Sequence, residues 1–325
     1  MLHTLTLGKR NFPVNIIQGP LAGISCAPFR ELAWRYSRPA FSCTEMISCK
    51  TFLFAPLKQQ QRFIQKDPQE GPVCFQLASN NPAELADAVK KATDLGADII
   101  DLNCGCPVRK IRKKGEGSRL LTDVPALYQL ISAMKKHTPV PVSIKIRVES
   151  AEEKFNQAVA TAVSDAGADF LVVHGRHWTQ HYETPCRYAD IQFFVEALKI
   201  PVIGNGDVAD VASLQRLFAT GCAGVMIGRA GVGQPWLIAK LVAEMQGKPF
   251  ALPSNQEIGQ VFLEHVHRLA VLLGSEKWAV LQARQFAKYY ARHLPSRADF
   301  VLAMNRCTEL SALERLCQEF FGQEG

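Results

Sequence analysis

The chain has 325 residues, of which 47% are apolar, and carries 37 Lys and Arg against 30 Asp and Glu, a net charge of +7. Such a chain can bury a full core, with one large domain plus a small one as the natural organisation of a soluble globular protein. No apolar run is long enough to span a bilayer and the start lacks the features of a signal peptide, so the expected location is cytoplasmic with no membrane partner. The ten cysteines are then thiols. Their spacings offer no quartet of zinc ligands, and no metal is expected.

Short apolar runs recur along the first 240 or so residues, each followed by glycine or polar punctuation and a helical pattern. They are V-N-I-I-Q near residue 16, A-F-S-C-T-E-M near 43, V-C-F-Q-L-A near 75 and D-I-I-D-L-N near 100. V-S-I-K-I-R near 145, F-L-V-V-H-G near 172, V-I-G-N-G near 203 and G-V-M-I-G-R near 226 complete eight. Between the third and fourth, N-P-A-E-L-A-D-A-V-K-K-A-T-D-L-G reads as a helix capped by Asn81, entered at Pro82 and stopped at Gly96. Eight alternating units of this length predict an α/β fold, a (β/α)8 TIM barrel, over residues 1–246. An open doubly wound sheet is the alternative. It usually carries its glycine cluster after the first strand, whereas here the glycine-rich segments come after the seventh and eighth. Past a linker at 247–254 the pattern turns helical, predicting a small all-helical C-terminal domain over 255–325.

Chemistry in such a barrel sits at the carboxyl ends of the strands. That ring offers Pro20 with Leu21 and Ala22, then Glu45, Gln76, Asn103 leading to Cys106, Lys145 and Arg147, His174 and Arg176, Asn205 to Asp207, and Gly228 with Arg229. The last two groups suit a phosphate held by loop N–H groups, although each alone reads equally as an ordinary tight turn. Lys145, Gln76 and His174 suit a flat, hydrogen-bonding ring; a buried ion pair and a satisfied core histidine are the plainer readings of Lys145 and His174. Of the two cysteines in D-L-N-C-G-C-P, Cys104 reads as structural and Cys106 as a thiol turned to the mouth, open to roles as nucleophile, ligand or general acid.

Two segments are locally basic. Arg109, Lys110, Arg112, Lys113, Lys114 and Arg119 face only Glu116, and Arg284, Lys288, Arg292, Arg297 and Arg306 face only Asp299. They suggest a polyanionic partner, with solvated faces as the alternative. Arg284, Lys288 and Arg292 are spaced to form one stripe on a helix.

In order, G-P-L-A-G-I-S-C-A-P-F-R, T-E-M, F-Q-L-A, D-L-N-C-G-C-P, G-E-G-S-R-L-L, S-I-K-I-R, V-V-H-G-R, V-I-G-N-G-D and V-M-I-G-R make a highly specific set. Over nearly its whole length the chain resembles the flavin-dependent tRNA-dihydrouridine synthases, closest to the bacterial B and C types. The resemblance implies FMN contacts at Pro20, Leu21, Ala22, Gln76, Lys145, His174, Asn205, Gly206, Asp207, Gly228 and Arg229. Cys106 falls on the family's proton donor, and Asn103, Lys145 and Arg147 fall around the flipped uracil. Arg176 and the Arg284, Lys288 and Arg292 stripe are expected to serve the RNA substrate. The implied reaction is reduction of a uridine in tRNA, with NADPH as reductant and a monomeric enzyme. Ribosomal RNA as target, a flavin enzyme acting on a free pyrimidine or other small unsaturated molecule, and a flavin-free RNA-binding relative are the competing readings. Leu21 and Cys26 stand where the family usually has Met and Asp, and His177-Trp178 where it has Thr-Arg. Glu183-Thr184 replaces a segment where glycine is common, and Arg119 replaces a small residue.

Overall fold

A computed structural model describes residues 1–148 and 153–322. Eight parallel strands occur where the apolar runs lie. They are β1 (Ile16–Gln18), β2 (Ser42–Cys43, resumed at Ile47–Ser48), β3 (Val73–Ala78), β4 (Ile99–Cys104), β5 (Val142–Val148), β6 (Phe170–His177), β7 (Val202–Asn205) and β8 (Gly224–Ile227). Each pairs with its successor, and β8 returns to β1 through Val225 with Ile16, Met226 with Ile17 and Ile227 with Gln18. The sheet is therefore a closed barrel rather than an open doubly wound sheet.

Strands buried on both faces read as continuous apolar runs, and their alternation sorts them into two cores. Ile16, Phe75, Ile100, Leu102, Ile144 and Val173 face outward against the surrounding helices. Ile17, Cys74, Ile99, Val172, Ile203 and Met226 face inward. An N-terminal hairpin (Leu5–Leu7 with Arg10–Phe12), which the apolar runs did not announce, adds Leu5, Leu7 and Phe12 to the inner core. Between β1 and β2 lies α1 (Ala27–Ser37), and between β3 and β4 lies α2 (Pro82–Asp94). The second begins as its sequence requires: the Asn81 side chain accepts from the N–H groups of Ala83 and Glu84.

After α3 (Leu237–Met245), the helical region comprises α4 (Asn255–Leu273), α5 (Glu276–Tyr290), a single turn Ala291–His293, α6 (Arg297–Arg306) and α7 (Leu310–Phe321). The region expected to reach residue 325 is described as far as 322. Ser254 and Glu257 form a capping box at the start of α4. The core of this region is not its own alone: Phe29 and Leu32 of α1, with Val232 and Trp236, pack into it. Gly233 meets the end of α5 so closely that a Cβ would lie 2.5 Å from the Tyr289 carbonyl carbon and the Tyr290 nitrogen. That approach carries Tyr289 and Arg292 to the barrel mouth.

Candidate active site

Residues two apart on a strand share a face, so the inward apolar rows continue into polar groups at the carboxyl end. Cys74 leads to Gln76, Ile99 through Asp101 to Asn103, Val172 to His174, and Ile203 to Asn205. They open into a cavity of about 770 Å³.

Hydrogen-bonded chains line its floor. Ser143 Oγ donates to Asp101 Oδ1 at 2.6 Å and Gln76 Nε2 donates to Asp101 Oδ2 at 2.8 Å. With its amide turned by that carboxylate, Gln76 presents Oε1 to Asn103 Nδ2 at 2.9 Å. Asn103 Oδ1 is then left to accept from the Cys106 N–H at 3.0 Å. Burial raises the Asp101 pKa, opposed by the hydrogen bonds from Ser143 and Gln76. Burial also lowers the Lys145 pKa, opposed by the charge of Asp101. Lys145 Nζ donates to Asn205 Oδ1 at 3.0 Å, and Asn205 in turn donates to the Met226 carbonyl. His174 is pushed down to about 2, first by burial and then by the surrounding cations. Since Arg176 donates to its Nε2 at 2.9 Å, the neutral ring carries its proton on Nδ1.

The loops after β7 and β8 present backbone N–H groups at the cavity. Gly206 has φ 141 and Asp207 φ 54, and a Cβ on Gly206 would lie 2.5 Å from Cys186 Sγ. Among the described residues no protein acceptor pairs with the N–H groups of Asp207 or Val208, and beside Gly228 the space is open. Asp210 closes the N-terminus of the next helix, Val211–Phe218, by accepting from Ser213. The donors open to a phosphate therefore belong to the loop and to the turn Arg229–Gly231.

Cys106 sits half-buried on the opposite rim. Burial raises its thiol pKa, opposed by a backbone N–H and by the nearby Arg147, which keeps it protonated at neutral pH. Cys104 is fully buried in the outer core. Because the strand ends at Cys104 and Cys106 lies in the turn beyond it, the two cysteines have different fates.

Pro20, Leu21, Ala22, Gln76, Asn103, Lys145 and Arg147 all line this cavity, as do His174, Asn205, Gly206, Asp207, Gly228 and Arg229. Three expected groups also have structural partners. Arg176 lines the cavity but is only 1% exposed; it donates to both Asp207 oxygens at 2.5 and 2.6 Å and to the carbonyls of Thr184 and Tyr182, and so ties the loops together. The basic stripe divides. Arg284 donates to the Cys307 carbonyl, and Arg292 lines the cavity while donating to the carbonyls of Tyr289, Ala230 and Val232, leaving Lys288 exposed. Glu45 lies off the cavity and holds the first loop, accepting from the Gly23 N–H at 2.6 Å and from Arg62 at 2.8 Å. The helical region joins this lock, because Gln282 accepts from Arg62 and donates to the Gly23 carbonyl.

Two groups were missed. Asp101 was detectable as the residue two before Asn103 on one strand. Tyr182, which lies on an irregular loop without periodicity, lines the cavity with its ring 3.6 Å from the Arg229 guanidinium carbon. No cluster of three or more His, Cys, Asp or Glu suited to a metal occurs among the described residues, and no helix there is long and apolar enough to cross a membrane.

Comparison with known proteins adds three kinds of likeness. Dihydrouridine synthase (Dus), as a family, matches residues 17–324. The chain is 30% identical to tRNA-dihydrouridine synthase B of Pseudomonas aeruginosa, over 99% of this chain and 97% of that protein. It is 32% identical to tRNA-dihydrouridine synthase B of Pseudomonas syringae pv. tomato over 99% and 96%, and 33% identical to a probable tRNA-dihydrouridine synthase of Synechocystis over 90% and 82%. Among solved structures, morphinone reductase shares the fold with a TM-score of 0.57 at 11% identity, covering 78% of this chain and 91% of that one. A family match that begins in β1 and runs through α7 leaves one assignment: this chain belongs to the dihydrouridine synthase family.

Proposed function

We propose that the protein reduces a uridine of tRNA to 5,6-dihydrouridine, using FMN and NADPH, as a cytoplasmic monomer. One observation carries the reading: the Cys106 thiol shares a cavity with Lys145 and the loops after β7 and β8, beside the exposed cations of 109–119. FMN fits the donor set: the N–H groups of Asp207, Val208 and the Arg229 turn would hold its phosphate, and Pro20, Leu21, Ala22, Gln76, Lys145 and His174 would hold its ring. When bound, FMN recharged by NADPH supplies the hydride that reduces C6 of the uracil.

The remaining chemistry belongs to this chain. Lys145 provides a cation or a proton to a ring that gains negative charge, with Asn205 aiming its ammonium. His174 offers Nδ1–H as a neutral donor. Asn103 and Arg147 hold the uracil and its adjoining backbone. Cys106 donates its proton to C5 from the face opposite the hydride, and the resulting thiolate regains a proton from water. A uridine in folded RNA must leave its stack to enter the cavity, at a cost of about a few kcal/mol. The exposed cations of 109–119 and Lys288 grip the surrounding phosphates, and the helical region 255–325 acts as the RNA-binding domain of the 1–246 barrel.

The test is mass-spectrometric mapping of dihydrouridine in total tRNA and rRNA from cells with and without this gene, followed by restoration with purified protein and NADPH. Loss and return of dihydrouridine at a tRNA position supports the reading. An rRNA position moves the target, and no change in any RNA from a flavin-containing protein points to a small unsaturated substrate.

A further inference from the structure

Near Cys106, two loops meet in a contact that lies outside the cavity. Arg112, in the basic segment after β4, stacks its guanidinium carbon 3.4 Å from the centre of the Trp178 ring, which belongs to the turn after β6. Arg112 Nη1 donates to Ser118 Oγ at 2.7 Å, and Ser118 Oγ donates to the Cys106 carbonyl at 3.1 Å. A hydroxyl has one proton. With Arg112 occupying a lone pair of Ser118, that proton is directed at Cys106. The Ser118 N–H also reaches the same carbonyl at 3.1 Å. Gly117, with φ +62, packs so near that a Cβ there would lie 2.7 Å from that oxygen.

On its other side, the Cys106 N–H is held by Asn103. The Trp178 turn is held as well: Arg147 donates to the carbonyls of His177 and Gln180 at 3.3 and 3.0 Å, and the His177 N–H donates to Gln180 Oε1. Contacts therefore run from Cys106 through Ser118 and Arg112 to Trp178, and from its turn back to Arg147 in the cavity. The electron-rich face of the Trp178 indole attracts the Arg112 guanidinium that lies over it.

We infer that the Arg112–Trp178 stack is a clasp that holds Cys106 in register for proton transfer, making Trp178 a positioning residue of the reaction. The inference rests on the acid role of Cys106 proposed above. An acid displaced by about 1 Å loses on the order of 100-fold in rate, and a loosened loop samples such displacements.

Trp178→Leu and Trp178→Phe leave the net charge unchanged, so neither takes a cation away from the RNA phosphates. In full-length protein reconstituted with FMN, single-turnover dihydrouridine formation on a tRNA transcript should fall about ten-fold or more for W178L and recover most of its rate in W178F. Flavin reduction by NADPH and transcript affinity should stay within about two-fold. A second readout needs neither flavin nor RNA: iodoacetamide labelling of Cys106, located by peptide mass spectrometry, should quicken several-fold in W178L while W178F keeps nearly the wild-type rate. R112Q should reproduce the labelling change, and the double variant should add little to either single one.

Wild-type labelling and turnover in W178L, or a turnover loss that follows RNA affinity, overturns the clasp. Should W178L not fold, R112Q and W178F carry the labelling comparison. A wild-type enzyme that makes no dihydrouridine refutes the proposed function instead, and the labelling result still decides whether the clasp holds Cys106.

Discussion

The two basic segments look alike in sequence and differ in the folded protein. In the segment after Cys106, Arg109, Lys110, Lys113, Lys114 and Arg119 are exposed. In the helical segment, Arg284 and Arg292 are half-buried and donate to backbone carbonyls, with Lys288, Arg297 and Arg306 left in solvent. A guanidinium that satisfies carbonyls at a packed junction contributes to folding. A solvated ammonium contributes little to folding and remains available to phosphate. Similar runs of positive charge thus divide into a solvated loop and a partly structural brace.

Substitutions can break or sharpen this contrast. The largest effect belongs to the cavity residue just ahead of the first segment. Cys106→Ala should lower dihydrouridine formation by about 10²- to 10⁴-fold, with flavin content and RNA affinity intact by absorbance and filter binding. If Cys106 is the acid, the wild type would lose it only on deprotonation. Because burial raises the Cys106 pKa, turnover should hold through neutral pH and fall only above the ordinary thiol range; a fall centred below pH 8 would contradict the acid role.

Next comes the charge itself. Replacing Arg109, Lys110, Lys113 and Lys114 together by Gln should weaken RNA binding and flatten the log–log salt dependence by about 0.7 to 0.9 for each phosphate no longer neutralised, while the melting temperature barely moves. An unchanged slope would make the loop a solvated face.

The brace should respond in the opposite way. Arg292→Gln leaves carbonyls of the junction short of a donor and should cost about 1–3 kcal/mol in denaturant unfolding. Arg284→Gln, which removes one carbonyl bond, should cost about 1 kcal/mol. A stable R292Q protein with flatter salt dependence would return Arg292 to the RNA surface and erase the contrast.

Much of the barrel was legible because its signals are local. Apolar runs marked all eight strands, and Asn81 with Pro82 marked a helix start that the backbone adopts. Cys104 and Cys106 were separable since one ends a strand and the other begins a turn. Asp101 followed the same period of two yet was passed over, because a lone carboxyl inside an apolar run shows its partners only after neighbouring strands align Gln76 and Ser143 beside it. Tyr182 and the Arg112–Trp178 stack had no periodicity to reveal them.

By itself, then, the amino-acid order determined what depends on near neighbours: strand and helix alternation, the side of the sheet each residue faces, and the polar ring at the carboxyl ends. Tertiary structure decided what depends on groups far apart in the chain. It committed Arg176 to Asp207, turned Arg284 and Arg292 to backbone carbonyls, and set Arg112 on Trp178. The physical reason is reach: a backbone period fixes a side chain's direction, but an arginine's partner is chosen only when packing brings an acceptor or an aromatic face within a few ångströms of its long, mobile end.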